Sequence, residues 1–205
     1  MKSFRSASLI ASSALLIATA ACTQPAPPPP PAAPAQTVAQ ESPVERGKYI
    51  VEAGGCNDCH TPWKMGAAGQ PEPDMTRYLS GHPEDVKLPP PPKVDPKSPW
   101  IWGGAAMNTA FYGPWGVSYA FNLTPDQNTG LGIWTEDMFV RAIRTGKHMG
   151  EASSRDILPP MPWPAFKNFN DGDLKAIYAY LRTIKPIANH VPDPVPPSGT
   201  PGKGN

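Results

Sequence analysis

The stretch GGCNDCHTP, residues 54–62, sets two cysteines three apart with a histidine directly after the second. Three kinds of chemistry use such a pattern: a zinc site, a thiol–disulfide redox pair and covalent attachment of haem. A structural zinc site needs four ligands, mostly sulfur, and commonly a second ligand pair at short spacing. Beyond Cys22 the chain has only Cys56 and Cys59, and His82, His148 and His190 are single and scattered. A redox pair sits at a helix N-terminus among alternating strands and helices. Here the motif follows a helical pattern instead. A plain disulfide leaves His60 unexplained. Haem attachment uses both thiols, one for each vinyl group, and the adjacent imidazole as an iron ligand. Cys56, Cys59 and His60 supply that set, once in the chain, which implies one haem c per chain.

Attachment of this kind takes place outside the cytoplasm, and the N-terminus points the same way. Lys2 and Arg5 form a positive start, Leu9 to Ile17 is apolar but too short to span a membrane, and small residues follow. Residues 1–22 read as a secretory signal. Its end has two readings. Ala18-Thr19-Ala20 suits ordinary cleavage. Small residues before Cys22 also suit a lipobox, which makes Cys22 an acylated first residue and a membrane anchor, although Thr19 stands where leucine is usual. The expected location is the periplasm, at a membrane if Cys22 is lipidated. Residues 23–41, rich in Pro and Ala, then form a semi-rigid, extended linker.

Proline accounts for 30 of the 205 residues, about three times ordinary usage. It clusters at 25–34, 89–99 and 186–201. Proline fixes φ and lacks a donor, so these stretches cannot lie inside helices or sheets. The net charge of +1 gives no basic patch or stripe of the kind nucleic-acid binding requires. No phosphate-binding glycine loop, serine-nucleophile motif or paired-carboxylate motif stands out. The folded domain is expected over 42–186, with an irregular tail over 187–205.

Three segments have helical patterns. In SPVERGKYIVEAGG (42–55), Ser42 and Glu45 have capping-box spacing, Pro43 suits the first helical position and Gly54-Gly55 ends the run. In TEDMFVRAIRTG (135–146), Thr135 caps, Met138, Phe139, Ala142 and Ile143 share a face, and Gly146 terminates. In NDGDLKAIYAYLRTIK (170–185), Asn170 caps, and Leu174, Ile177, Tyr178 and Leu181 recur at helical spacing before Pro186. No convincing set of alternating strands emerges. The expectation is a mainly α domain with long Pro/Gly-rich loops, in which a large apolar cofactor supplies part of the core. The aromatic stretch WIWGGAAMNTAFYGPWGVSYAFN (100–122) is expected to pack rather than stay open.

An electron carrier needs a second axial ligand, usually Met or His. Met161, in LPPMPWPAF (158–166), lies in a stiff, proline-flanked segment suited to presenting a thioether to iron. Met138, Met149, Met107 and His148 are its competitors, and Met65 and Met75 fall in polar loops. A structural role for Met161 in the core is the alternative.

This order of parts resembles class I c-type cytochromes: a capped helix, Cys-x-x-Cys-His, a late Met in a proline-flanked loop and a final amphipathic helix. NLTPDQNTGLGIW (122–134), the segment 134–146 and ILPPMPWPAFKNFNDGDLKAIYAYLRTIKP (157–186) are similar to the haem domains of bacterial membrane-bound dehydrogenase cytochrome subunits. The resemblance implies a cytochrome c-like fold, thioethers at Cys56 and Cys59, and axial ligation by His60 and Met161. It also implies that the first and last helices cross, with Gly47 against the Tyr178/Leu181 face. The interval before NLTPD is longer than in a minimal cytochrome, so nothing carries over to 62–120. Trp100, Trp102, Trp115 and Tyr119 there either meet the haem propionates or fill space. The expected role is single-electron transfer without substrate chemistry, with a dehydrogenase, an oxidase or another cytochrome as redox partner. Lys147, Arg144 and Lys167 are candidates for steering an acidic partner. The alternative is a haem sensor or peroxidase-like protein with an open sixth position, His148 serving as a distal group.

Overall fold

The computed structural model describes residues 41–93, 97 and 99–197. The signal segment 1–22, Cys22, all but the last residue of the 23–41 linker and the end of the tail lie outside them. Helix α1 spans Pro43–Ala53 and starts as its sequence dictates. Ser42 N–H donates to Glu45 Oε2 at 3.0 Å and Glu45 N–H to Ser42 Oγ at 3.2 Å, so two otherwise orphaned donors are satisfied reciprocally. A short helix α2, Cys56–His60, follows at once. Helix α3 covers Glu136–Thr145, capped by Thr135 through Met138 N–H at 3.2 Å and closed by Gly146 at φ 69°. A single turn α4, Trp163–Phe166, precedes α5, Asp171–Leu181, capped by Asn170.

Helices α1 and α5 cross at Gly47. A Cβ there would lie 1.9 Å from the Ala176 carbonyl oxygen and 2.9 Å from Tyr180 Cβ, so only glycine allows this approach. The facing residues are thus Ala176 and Tyr180 rather than the Tyr178/Leu181 face expected. An ion pair between Arg46 and Asp173 at 2.8 Å staples the crossing. Beneath it Ile50, Val51, Leu174, Ile177 and Leu181 form the core with Phe139 and Ile143 of α3. The last helix ends at Leu181, four residues before the expected end. Arg182 instead donates to the carbonyls of Leu131 and Gly132 at 3.1 and 2.9 Å, and Thr183 Oγ1 donates to the Tyr180 carbonyl. No described helix is long and apolar enough to cross a membrane.

The mainly α expectation holds only in part. Among the described residues the interval after α2 carries five short strands. Strands β1 (Trp63–Met65) and β2 (Pro71–Pro73) pair antiparallel, with Lys64 opposite Glu72. Strands β3 (Gly103–Gly104), β4 (Ala110–Gly113) and β5 (Gly116–Tyr119) form an antiparallel meander, with Phe111 opposite Ser118. The β4–β5 turn, Gly113-Pro114-Trp115-Gly116, needs glycine at its end, where φ is 95°. A Cβ on Gly116 would also meet the Val195 carbonyl oxygen at 2.0 Å. There the chain after α5 returns and bridges Val117 through a reciprocal pair of backbone hydrogen bonds, 2.7 and 2.9 Å.

This half of the molecule buries polar side chains. Asn189, 1% exposed, donates to the carbonyls of Ser80 and His82 at 2.7 and 2.9 Å and accepts from Glu84 N–H at 2.9 Å. Asn122, fully buried, accepts from Thr124 N–H at 3.0 Å and donates to the Ile187 carbonyl at 2.8 Å. Two side-chain amides thereby satisfy the backbone of chain that has no ladder of its own.

Candidate haem site

Gly55 adopts φ 71°, a conformation open to glycine at little cost, and turns the chain from α1 into α2. The helical conformation of α2 then sets Cys56, Cys59 and His60, at i, i+3 and i+4, on one face. Burial pushes the Cys56 thiol up to about 11 and also raises that of Cys59, so both are held as neutral thiols. Neither forms a disulfide. Among the described residues no group of three or more His, Cys, Asp or Glu side chains is arranged to hold a metal ion, which is the geometry a zinc site needs.

His60 is 8% exposed. Its Nδ1 lies 2.7 Å from the carbonyl oxygen of Phe121. A carbonyl only accepts, so Nδ1 carries the proton and Nε2 keeps a free lone pair. Such an outer hydrogen bond is what fixes a metal-ligating imidazole in one tautomer and direction. Burial holds His60 below the ordinary imidazole pKa, which keeps the ring neutral and able to ligate. The backbone is fixed as well: Gly81 N–H donates to the His60 carbonyl at 2.7 Å, and Thr61 Oγ1 accepts from Leu79 N–H at 2.8 Å.

Cys56, Cys59, His60 and Met161 all line one cavity of ≈ 310 Å³, within the roughly 300–1,000 Å³ typical of cofactor sites. Its wall is largely apolar, with Leu131, Trp134, Phe139 and Ile143 from the α3 side and Phe121 and Leu158 opposite. The apolar face read from the sequence of α3 is therefore both core and cavity wall. Met161 is the one methionine among the lining residues. Met138 and Met149 pack against the core cluster but do not line this cavity, and neither do Met65, Met75 and Met107. His148 does line it, edge-on to Phe121 and Trp134. The Met161 segment is tied to the sheet: Ser118 Oγ on β5 donates to the Pro159 carbonyl at 2.5 Å. Two thiols side by side, one free imidazole nitrogen, a thioether and apolar walls form a donor set that suits a haem.

Similarity to known proteins accords with this donor set. No family model matches the chain. The gluconate 2-dehydrogenase cytochrome c subunit of Pantoea cypripedii is 32% identical over 159 residues, 77% of this chain and 27% of its own length. The quinone-dependent alcohol dehydrogenase cytochrome c subunit of Gluconobacter oxydans is 31% identical over 165 residues, 79% and 26% respectively. The fructose dehydrogenase cytochrome subunit of Gluconobacter japonicus is 28% identical over 188 residues, 91% and 30%. The chain is a relative of dehydrogenase cytochrome c subunits. It spans under a third of the length of each of these relatives.

Several features of the site had no sequence signal. The Phe121 carbonyl is a backbone group 61 residues from the histidine it orients, and side-chain types do not announce it. Pro194 reaches the cavity from beyond the last helix. Of the four aromatic residues in doubt, Tyr119 lines the cavity, Trp115 Nε1 donates to Ser118 Oγ at 3.2 Å, and Trp100 and Trp102 are 80% and 49% exposed. The three basic residues singled out for steering are engaged within the chain. Arg144 pairs with Asp171 and donates to the Lys167 carbonyl, Lys147 pairs with Asp156, and Lys167 Nζ lies 5.8 Å from the Trp163 ring centroid.

Proposed function

We propose that this chain is an exported mono-haem c-type cytochrome that passes single electrons and performs no substrate chemistry of its own. Cys56 and Cys59 carry the haem by thioether bonds, and His60 and Met161 ligate its iron. The observation that carries this reading is the convergence of these four residues, from both ends of the domain, on one apolar cavity. The haem supplies the one-electron couple. The chain's own part is to hold Nε2 of His60 in a fixed direction, to offer the Met161 sulfur and to keep water off both. Thioether ligation favours the reduced state relative to a second imidazole, and apolar walls act in the same direction.

Relatives named as dehydrogenase subunits support a dehydrogenase as electron donor. The segment 1–22 carries the export signal and ends at Cys22, which becomes the acylated first residue and lipid anchor, with 23–41 as the tether and 42–186 as the cytochrome domain, so the haem works in the periplasm at a membrane surface.

Covalent haem is tested by a haem stain on a denaturing gel and a pyridine haemochrome spectrum. Both are expected to be positive and to disappear in Cys56→Ala/Cys59→Ala. Met161→Ala is expected to remove the weak red-edge sulfur-to-iron absorption of the oxidised protein and to lower its potential. An unchanged spectrum would rule out the sixth ligand. Tight carbon monoxide binding by the reduced wild-type protein would favour a haem sensor instead.

A further inference from the structure

The cavity that holds His60 and Met161 meets a second one, of ≈ 460 Å³, along a wall shared by Tyr119, Phe121, Trp134, His148, Arg155 and Pro194. The two differ in chemistry. Apolar side chains dominate the first, whereas the second is lined by Asn128, Thr129, Ser154, His190 and Asp193 among others. A ligand filling the first cavity therefore has a polar exit on one side.

The local fold brings Arg155 to that boundary. His148 N–H donates to the Arg155 carbonyl at 3.0 Å, Ile157 N–H to the Gly146 carbonyl at 2.7 Å, and Lys147 bridges Asp156 between them. The chain from 146 to 157 is thus closed into a hairpin-like loop, with His148 and Arg155 both on the shared wall.

Every other described arginine is committed. Arg46, Arg77, Arg141 and Arg144 pair with Asp173, Asp85, Glu151 and Asp171, and Arg182 caps two carbonyls. Among the described residues Arg155 has no ion pair. It makes one long hydrogen bond, 3.3 Å, to the carbonyl of its neighbour Asp156. Asp193 faces it at longer range, and surrounding protein desolvates it enough to lower its pKa from the ordinary guanidinium value. His148, which burial keeps neutral, and Tyr119 share the boundary wall, His190 lines the second cavity, and Asp58 lines the first beside Cys56, Cys59 and His60. Arg155 as a residue is exposed, so its guanidinium can take up an anion at this boundary at little desolvation cost and through charge-assisted hydrogen bonds. The fork of an arginine fits a carboxylate best.

We infer that Arg155 receives a propionate carboxylate of the bound haem at the boundary of the two cavities. This rests on the haem reading above. Arg155 is a positioning residue that sets the potential rather than an iron ligand. A carboxylate beside the macrocycle favours ferric iron through its negative charge, and the guanidinium offsets that charge.

The test is a redox titration of holoprotein variants, with covalent haem verified first on a denaturing gel. Arg155→Gln is expected to shift the Fe(III)/Fe(II) equilibrium about tenfold toward ferric, a fall of roughly 59 mV for one electron, while haem stays attached through Cys56 and Cys59. Arg155→Lys keeps the charge and is expected to recover most of the shift. Asp193→Asn removes the opposing charge and is expected to raise the potential. If Arg155→Gln fails to mature, the Asp193→Asn sign decides. An unchanged potential in Arg155→Gln, equal falls in Gln and Lys variants, or no rise in Asp193→Asn overturns the inference. Absence of covalent haem in the wild-type protein overturns the underlying reading instead.

Discussion

The helical frame and the chain from 61 to 124 are held together by different physics. In the frame, α1 and α5 meet across Gly47 and bury leucine, isoleucine and valine in regular positions. In the second region the strands are two to four residues long, and buried Asn122, His82 and Thr109, joined by Asn189 from beyond α5, stand where a sheet ladder would otherwise serve. Apolar packing is tolerant of chemistry and strict about volume. A buried polar network reverses that priority, because each unmet donor or acceptor carries its full desolvation cost.

The largest expected effect tests the frame. Gly47→Val places atoms where the Ala176 carbonyl already lies 1.9 Å from an added Cβ, and a loss of about 3 kcal/mol or more in chemical denaturation is expected. Wild-type stability would mean that the helices do not cross as described.

Next come two substitutions that conserve the number of side-chain heavy atoms. Asn189→Leu keeps the branched framework but leaves two carbonyls and one N–H without partners, and is expected to cost about 3 kcal/mol. Leu174→Met, in a site 1% exposed, is expected to cost less than about 1.5 kcal/mol. Equal losses in urea titrations would erase the distinction between the regions.

A smaller effect appears with pH. Burial lowers the pKa of His82, which bonds Thr109 Oγ1 at 2.9 Å. The unfolded chain then binds a proton more readily than the folded one. Stability is fully present above the unfolded value, about 6.5, and declines as pH falls through the lowered folded value. His148, also lowered by burial, acts in the same direction. Denaturation midpoints measured between about pH 7.5 and pH 5 should fall, and His82→Gln should flatten part of the slope. A slope unaltered in His82→Gln would remove His82 from the account.

The smallest is at the start of α1. Ser42→Ala removes the cap on Glu45 N–H and is expected to lower stability by about 1 kcal/mol. A change near zero in the same titrations would mean that the box adds nothing to the frame.

The same contrast explains what the sequence reveals. Helix starts at Ser42, Thr135 and Asn170 are written in local side-chain chemistry, and each appears within one residue of its expected place. Convergence of Cys56, Cys59, His60 and Met161 was legible because a motif fixed three of them and prolines marked the fourth. The strands were not. Gly103–Gly104 has no side chains to pattern, and Ala110–Gly113 is apolar on both faces, so period-two alternation has nothing to act on. Asn189 gave no signal either, since an asparagine shortly after a proline reads as loop, and its partners lie more than 100 residues earlier.

The bond from His60 Nδ1 to the Phe121 carbonyl reaches further than local geometry. The acceptor sits just after β5, whose Ser118 holds the Met161 segment by Pro159. One short run of backbone thus touches both sides of the cavity. On the haem reading, a carbonyl drawing on the Nδ1 proton makes the opposite nitrogen a stronger donor to iron. Residues 118–121 then act as a tuning peg. A shift of that run alters imidazole basicity at one end and thioether placement at the other, so a partner docking there would change the ease of electron release without touching the iron.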